Sequence, residues 1–402
     1  MNKLSEEKVF RDPIHGYVRV DDSVVWQCIQ TKEFQRLRRI KQLGSTSMAY
    51  HTGEHSRFAH SLGVYEIVRR MVNEVGDLKE KLTEYEKITV MLAGLLHDIG
   101  HAPFSHSFET IMHKKHEEYT VQIISQKSEI KDILDNYSPH LADDVAKVID
   151  GSHPNGILCQ MVSSQLDADR MDYLLRDSYF TGTKYGEFDL ERILRTMRVA
   201  DDKLAVKVSG MHTIEDYIMA RYHMYWQVYF HAVSRSYDVI LKNLFKRLVD
   251  LYKENPTKIL DEYPMYRNLL TKEILSNEDI FDLDDSTCLY SFRLMSKGDD
   301  KILADLAMRL LTRNLFKYSN PQNSQDILSK LKEKGYDKQY YFYWDHQTQN
   351  PYTPYNGQTH SIWVLMDNGE IAELSSVSKI VSSICQNSTY QDEKIFFPKE
   401  VL

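Results

Sequence analysis

A mainly α fold with a small α+β C-terminal region is the class this sequence predicts. Apolar residues recur at helical spacing through most of the first 315 residues, with Ile88, Met91, Leu92, Leu95 and Leu96 as the clearest buried face. Strand-like runs, YYFYWDHQ and SIWVLMDNGEIAEL, gather late in the chain, with Asn368-Gly369 as a turn between two of them. Between these two regimes the composition shifts to SNPQNS, a linker signature. The expected division is therefore a helical unit over 1–319 and a C-terminal α+β region over 320–402, a candidate for oligomerisation or regulation.

Composition narrows the function classes. The 402 residues are 42% hydrophobic and 27% charged, ordinary for a soluble globular protein. A net charge of −8 disfavours nucleic acid or an anionic membrane surface as the main partner. Cys28, Cys159, Cys288 and Cys385 are widely separated and form no CxxC pair, which argues against a disulfide framework or a thiolate zinc site. MNKLSEEKVF contains no apolar run, and no stretch approaches the roughly 20 apolar residues of a membrane span. A cytoplasmic location is the expectation.

In chain order, residues 1–25 read as extended, with a turn at Asp12–Gly16. A helical pattern follows from Val24, with Phe34, Leu37 and Ile40 on one face. Its cluster of Lys32, Arg36, Arg38, Arg39 and Lys41 reads as a solvated basic face. After a loop over 44–53, SRFAHSLGVYEIVRRM starts a helix that carries His60 on the face of Val64, Ile67 and Met71, with Arg57 one turn earlier. Helices are expected from His116 to about Asp150, and a single helix from Ile157 to Ser178. Residues 187–200 read as helical, 204–208 as a short strand, and 213–249 as one long aromatic-rich helix. More helix is expected to about residue 315, and a last one over 375–386.

LAGLLHDIGHAPFSHSFE, residues 92–109, concentrates the chemistry. His97 and Asp98 end a buried helix that Gly100 and Pro103 stop, and His101, His106 and Glu109 follow. For His97 and Asp98 by themselves, ordinary capping bonds are the alternative. Elsewhere, Asp169 continues the apolar stripe of Val162 and Leu166, and an acid aimed inward wants a cation. Arg170, Tyr173 and Asp177 share one polar face. Arg221, Tyr225 and Tyr229 recur every four residues, a spacing most often met in a core. His60, His97, Asp98 and Asp169 form a donor set for a hard or borderline divalent ion, Mn, Fe, Mg, Zn or Ni. Such an ion polarises phosphoryl oxygens and acidifies bound water, with His101, His106 and Glu109 placed for proton handling. No Walker A loop or GxSxG elbow occurs. Metal-assisted hydrolysis of a phosphate ester is the chemistry that these residues support.

The order His60 … His97-Asp98 … Asp169 resembles the HD-domain phosphohydrolases. The strings DPIHGYV, FQRLRRIKQLG, RFAHSLGV, HDIGHAPFSH and DADRMDYLLRD, with the Arg221–Tyr229 stretch, are similar to the deoxynucleotide triphosphohydrolases. That family includes bacterial dGTPase-like enzymes and the animal sterile-alpha-motif/HD enzyme. The likeness runs from about Lys8 to Val249. It implies an HD-domain helical fold and hydrolysis of dNTP to deoxynucleoside and triphosphate, with His60, His97, Asp98 and Asp169 as metal ligands. It implies catalytic roles for His101 and for His106, the acid to the departing 5′-oxygen, with Glu109 in support and His116 near the phosphates. Arg57, Arg170 and Arg221 would hold the triphosphate. Gln42 and Leu43 would face the sugar, while Asp177, Tyr173, Tyr225 and Tyr229 complete the pocket.

The same resemblance implies a homotetramer activated by a nucleotide effector at Lys8, Val9, Gln35, Arg38 and Arg192. Gln30 stands where an acid reads guanine in the animal enzyme and Arg11 where an asparagine is expected, which puts GTP in doubt as the activator. Two other readings compete. One is an HD phosphohydrolase acting on a nucleoside monophosphate or guanosine tetraphosphate, which the Gln42-Leu43 and Arg221–Tyr229 sets disfavour. The other is a non-catalytic dNTP sensor or single-strand nucleic-acid binder, supported by the basic Arg36–Lys41 cluster and opposed by the net charge.

Overall fold

A computed structural model describes residues 3–104, 108, 114–349, 352–354, 361–386 and 390–402. The chain opens on an antiparallel hairpin, Lys3–Asp12 against Gly16–Asp22. Asp12 folds its turn, because its Oδ1 accepts the backbone N–H groups of Ile14 and His15 at 2.9 and 3.1 Å. Gly16 closes the turn at φ +71°, where a side chain would add strain. The extended start and the turn at 12–16 are as the sequence predicts.

Two buried helices, Arg57–Glu74 and Glu84–Leu96, pack side by side behind the hairpin. The second begins with a capping box between Thr83 and Glu86. Gly94 sets their close approach: a Cβ there would stand 2.9 Å from Val68 Cγ2. The helix Ala168–Thr181 crosses Arg57–Glu74 at Gly63, where a Cβ would meet Asp172 Oδ1 at 1.9 Å. Helices His116–Ser125, Leu141–Asp150 and Gly156–Val162 complete the packing around Glu84–Leu96. Farther along, Ala232–Glu254 packs on Lys301–Thr312, which in turn contacts Asp285–Met295.

Late in the chain, Tyr390–Phe397 lies between Lys317–Ser319 and Tyr343–Gln349, antiparallel to both. A second sheet joins distant segments. Trp363–Leu365 pairs in parallel with Lys203–Lys207 and antiparallel with Ile371–Glu373, across a turn where Gly369 takes φ +88°. The strand expected at 204–208 and the late strands are present. No helix among the described residues is long and apolar enough to cross a membrane.

Four expectations require correction. The helix expected over Ile157–Ser178 breaks after Val162 and restarts at Ala168. Asp167 causes the restart, accepting the N–H groups of Ser164 and Arg170 at 2.6 and 2.7 Å, the local competition by which aspartate favours caps over helix interiors. The long helix over 213–249 is also interrupted: Met211–Met224 runs into a π-helical turn, Tyr225–Tyr229, before Ala232–Glu254 begins. Residues 187–200 are only partly helical. Leu190–Thr196 is helix, and Met197–Ala200 instead pairs with Lys203–Lys207 across Asp201 and Asp202, both at positive φ.

The basic cluster is not a uniformly solvated face. Lys32, Arg38 and Arg39 are exposed, but Arg36 is buried. Its guanidinium donates to the carbonyls of Leu283 at 2.7 and 3.0 Å, His101 at 2.9 Å and Ile99 at 3.4 Å. These acceptors lie on two segments far apart in sequence, and only a forked donor can satisfy them together. Arg36→Ala is expected to lower the unfolding free energy by about 3 kcal/mol, since it strips a charged donor from several buried carbonyls. A urea-denaturation midpoint equal to that of the parent chain would contradict this bracing role.

Candidate metal centre and active site

Side chains from three helical segments converge where the Glu84–Leu96 helix ends. His60 comes from Arg57–Glu74, His97 and Asp98 follow Leu96, and Asp169 sits in the first turn of Ala168–Thr181. His60 Nε2 lies 3.0 Å from Asp169 Oδ1 and 3.8 Å from Asp98 Oδ2. His97 Nε2 lies 3.4 Å from Asp98 Oδ1 and 3.6 Å from Asp169 Oδ1. Ligands bonded at about 2.0–2.2 Å to one ion stand at about these separations from each other.

The tautomers point the same way. His97 Nδ1 is 2.9 Å from the carbonyl of Gly94, which can only accept, so Nδ1 carries the proton and Nε2 offers its lone pair. That buried Nε2 has no hydrogen-bond partner among the described residues. A buried polar atom left this way, facing another imidazole and two carboxylates, fits a divalent ion. His60 Nδ1 meets Asp172 Oδ2 at 2.8 Å, which likewise turns Nε2 inward.

Asp172 ties this centre to the rest of the fold, and the sequence reading missed it. Its oxygens also take His15 Nε2 at 2.7 Å and the fork of Arg176 at 2.8 and 2.9 Å. Arg176 then reaches Asp12 at 2.8 Å. Two signals were available: Asp172 follows Asp169 by one helical turn, and Asp12 and His15 both stand in DPIHGYV.

The turn after the ligands is pinned as firmly. Thr120 donates to the carbonyl of His97 at 3.0 Å and accepts from Gly100 N at 3.0 Å. A Cβ on Gly100 would lie 2.3 Å from the Thr120 nitrogen. His101 is thereby held beside Asp98, Nε2 to Oδ1 at 3.3 Å, and stacked on His116 with ring centroids 3.7 Å apart. Burial, with the charge of Arg57 added, pushes the His101 imidazole well below its usual range, so it is neutral at physiological pH. Burial alone would raise the Asp98 carboxyl, but Arg57, His97 and His101 hold it well below the usual carboxylate range. Burial also opposes the charge on His60, yet its hydrogen bonds to Asp169 and Asp172 raise it to about 10.

A cavity of about 620 Å³ opens beside this cluster. Of the predicted residues, Gln42, Leu43, Arg57, Asp98, His101, His116, Asp169, Arg170, Tyr173, Asp177, Tyr225 and Tyr229 line it. Tyr229 donates to Asp177 Oδ2 at 2.7 Å, and His55 Nε2 meets Asp177 Oδ1 at 2.8 Å. Tyr173 and Tyr225 stand edge-on to Tyr229. Asp177 is buried and bonded. Arg221 is not among the lining residues; its Nε and Nη1 are buried without a partner. His55, Arg235, Asp238, Lys242 and Gln347 were not anticipated, the last because it arrives from the C-terminal region. His106 and Glu109 lie outside the described residues.

Of the five residues read as an effector site, Gln35 and Arg38 bond to each other, while Lys8 and Arg192 have other partners. Gln35 accepts from Arg38 Nε at 2.8 Å, and Arg38 lies over the ring of Phe58. Lys8 pairs with Glu6, Val9 is exposed, and Arg192 donates to the carbonyl of Ser209 in another surface cleft.

Fold and site together define a metal-dependent phosphohydrolase. An HD domain is matched over residues 57–177 and an HD associated region over 188–340. The chain is 46% identical over 410 residues to YwfO of Bacillus subtilis strain 168, described as uncharacterized, covering 100% of this chain and 94% of that one. It is 30% identical over 253 residues to the Dictyostelium discoideum homolog of deoxynucleoside triphosphate triphosphohydrolase SAMHD1, covering 59% of this chain and 49% of that protein. A crystal structure of a phosphohydrolase from Bacteroides thetaiotaomicron VPI-5482 matches with a TM-score of 0.83 at 26% identity, over 98% of this chain and 100% of that one. A hypothetical protein from Aquifex aeolicus gives 0.78 at 30% identity, over 98% of each chain. The chain belongs to the HD-domain family.

Asp98→Ala is expected to abolish binding of a divalent ion while the chain stays folded, checked by metal content and circular dichroism. Asp172→Asn is expected to weaken metal affinity by about 10–100-fold with all four ligands intact. Unaltered affinity in that variant would remove the orienting role of the buried carboxylate.

Proposed function

We propose that this protein hydrolyses deoxynucleoside triphosphates to deoxynucleoside and inorganic triphosphate. The observation that carries the reading is the make-up of one cavity: a hydrogen-bonded tyrosine–carboxylate pair and two carboxylates of the ligand cluster, Asp98 and Asp169, line the same space. Its volume suits a nucleotide-sized ligand. The printed activity of the Dictyostelium relative points the same way.

In this reading, Asp177 and Tyr229 grip the 3′-hydroxyl side of the sugar, while Tyr173 and Tyr225 enclose it. Leu43, whose Cδ1 would stand 3.2 Å from a Cβ placed on Gly53, forms with Gln42 and Tyr229 a packed wall against a 2′-hydroxyl. Arg57, Arg170 and Arg221 neutralise the phosphates. His60, His97, Asp98 and Asp169 would hold a divalent ion, Mn, Mg, Fe, Zn or Ni, which supplies polarisation of a phosphoryl oxygen and acidification of water. Water adds to the α-phosphorus as the bond to O5′ breaks. One proton ends on O5′, giving the deoxynucleoside, and the three phosphoryl groups leave joined. His106 is the proposed proton donor, with Glu109 in support. The neutral His101, stacked on His116, is positioned to donate a hydrogen bond to a phosphate oxygen. Activation by a nucleotide bound to Lys8, Val9, Gln35, Arg38 and Arg192, in a tetramer, belongs to the same proposal.

Incubating the metal-loaded protein with each dNTP, singly and in pairs, is expected to yield deoxynucleoside and triphosphate from at least one of them. Release of orthophosphate or pyrophosphate would rule out cleavage at O5′. Acceleration of one dNTP's hydrolysis by another is the expected sign of an effector site, and strict independence in every pair removes it. Tyr229→Phe, which takes a hydroxyl from a buried carboxylate, is expected to reduce kcat/KM by about tenfold or more.

A further inference from the structure

Among the described residues, four cationic side chains line the cavity: Arg57, Arg170, Arg235 and Lys242. Three are already matched by carboxylates. Arg57 pairs with Asp98, Arg170 with Asp167, and Arg235 with Asp345 and Asp392. Lys242 has no such partner among the described residues; Asp238, one turn earlier on the same helix, forms no ion pair with it. Its ammonium lies 5.8 Å from the centre of the Tyr343 ring, a face that attracts and orients a cation. The cavity also carries Glu117, Asp169, Asp177 and Asp238, and a lysine that faces it without an ion pair among the described residues is a binding group for an anion.

The surroundings of Lys242 are built rather than fortuitous. Arg235, buried, donates through Nε to the equally buried Asp345 at 2.6 Å. The Gln347 amide donates to both Asp345 oxygens at 3.1 and 3.3 Å. The Arg235–Asp345 bond fastens the strand Tyr343–Gln349 against the helix Ala232–Glu254, and Gln347 of that strand lines the cavity. Along that helix Arg235, Asp238 and Lys242 fall on one face. Lys242 stands about 15 Å beyond the helix start at a rise of about 1.5 Å per residue, leading away from Tyr229 and the proposed sugar end.

We infer that Lys242 binds a terminal phosphate of the substrate's polyphosphate chain, in a subsite walled by the C-terminal strand Tyr343–Gln349. This inference rests on the proposed triphosphate chemistry. The distal charge of a triphosphate, unlike its α-phosphate, does not change as the O5′ bond breaks. Lys242 therefore contributes to substrate affinity and little to turnover.

Inorganic tripolyphosphate is the direct probe, titrated calorimetrically into the full-length, magnesium-loaded protein. Lys242→Gln and Lys242→Met are both expected to weaken its binding by about tenfold or more, with deoxynucleoside binding unchanged, and Lys242→Arg is expected to retain most of it. Lys242→Met keeps an apolar stem on Tyr343, so equal losses in the two variants assign the effect to charge and not to packing. In turnover the losses are expected in KM with kcat held. Parental affinity for tripolyphosphate in a folded Lys242→Met variant overturns the subsite. Wild-type protein that binds tripolyphosphate through Lys242 yet leaves every dNTP intact overturns the dNTP reading instead and keeps the subsite.

Discussion

The candidate site depends above all on one buried carboxylate, Asp172. It is fully shielded from solvent and accepts from His60, His15 and both arms of the Arg176 fork. A charge so placed is costly unless every oxygen is satisfied. Here satisfaction is complete, and it has a geometric by-product: His60 can turn only its Nε2 toward the other ligands. Gly63 is the steric condition for this, because any larger residue would occupy the space of the carboxylate. The Asp12 turn is another, since it delivers His15.

The parts of this arrangement that obey short-range rules were legible in the sequence. His97 and Asp98 read correctly as the end of a buried helix, because the apolar period, Gly100 and Pro103 are local features. Arg170, Tyr173 and Asp177 read correctly as one face, because a helix repeats every 3.6 residues. What sequence patterning mislaid was decided by partners distant along the chain. Arg36 looks like a surface arginine until the carbonyls of Leu283 and His101 arrive around it. The breaks at Asp167 and Tyr225–Tyr229 do not disturb the apolar period enough to be seen in one sequence, yet they re-aim the side chains that follow. Gln347 was invisible for the same reason: nothing near it in the chain announces the cavity it joins.

The π-helical turn carries particular weight. Turns of this kind are uncommon and collect at functional sites, and here the turn holds both Tyr225 and Tyr229 against the cavity. Immediately afterwards the chain reverses its local geometry at Phe230 and His231 and enters the helix that carries Arg235, Asp238 and Lys242. One irregular segment thus connects the residues read here as the sugar end with those read as the phosphate end.

The Arg36 brace and its counterparts have a consequence for how this molecule comes into being. Asp98 finds Arg57 across 41 residues of chain, His101 finds Arg36 across 65, His60 finds Asp172 across 112, and His15 finds Asp172 across 157. Such closures come late, because each must first overcome the entropy of joining distant segments. The reactive centre therefore has no existence as a local fragment. A nascent chain cannot bring His60 and Asp169 together until the helix Ala168–Thr181 has been synthesised and docked.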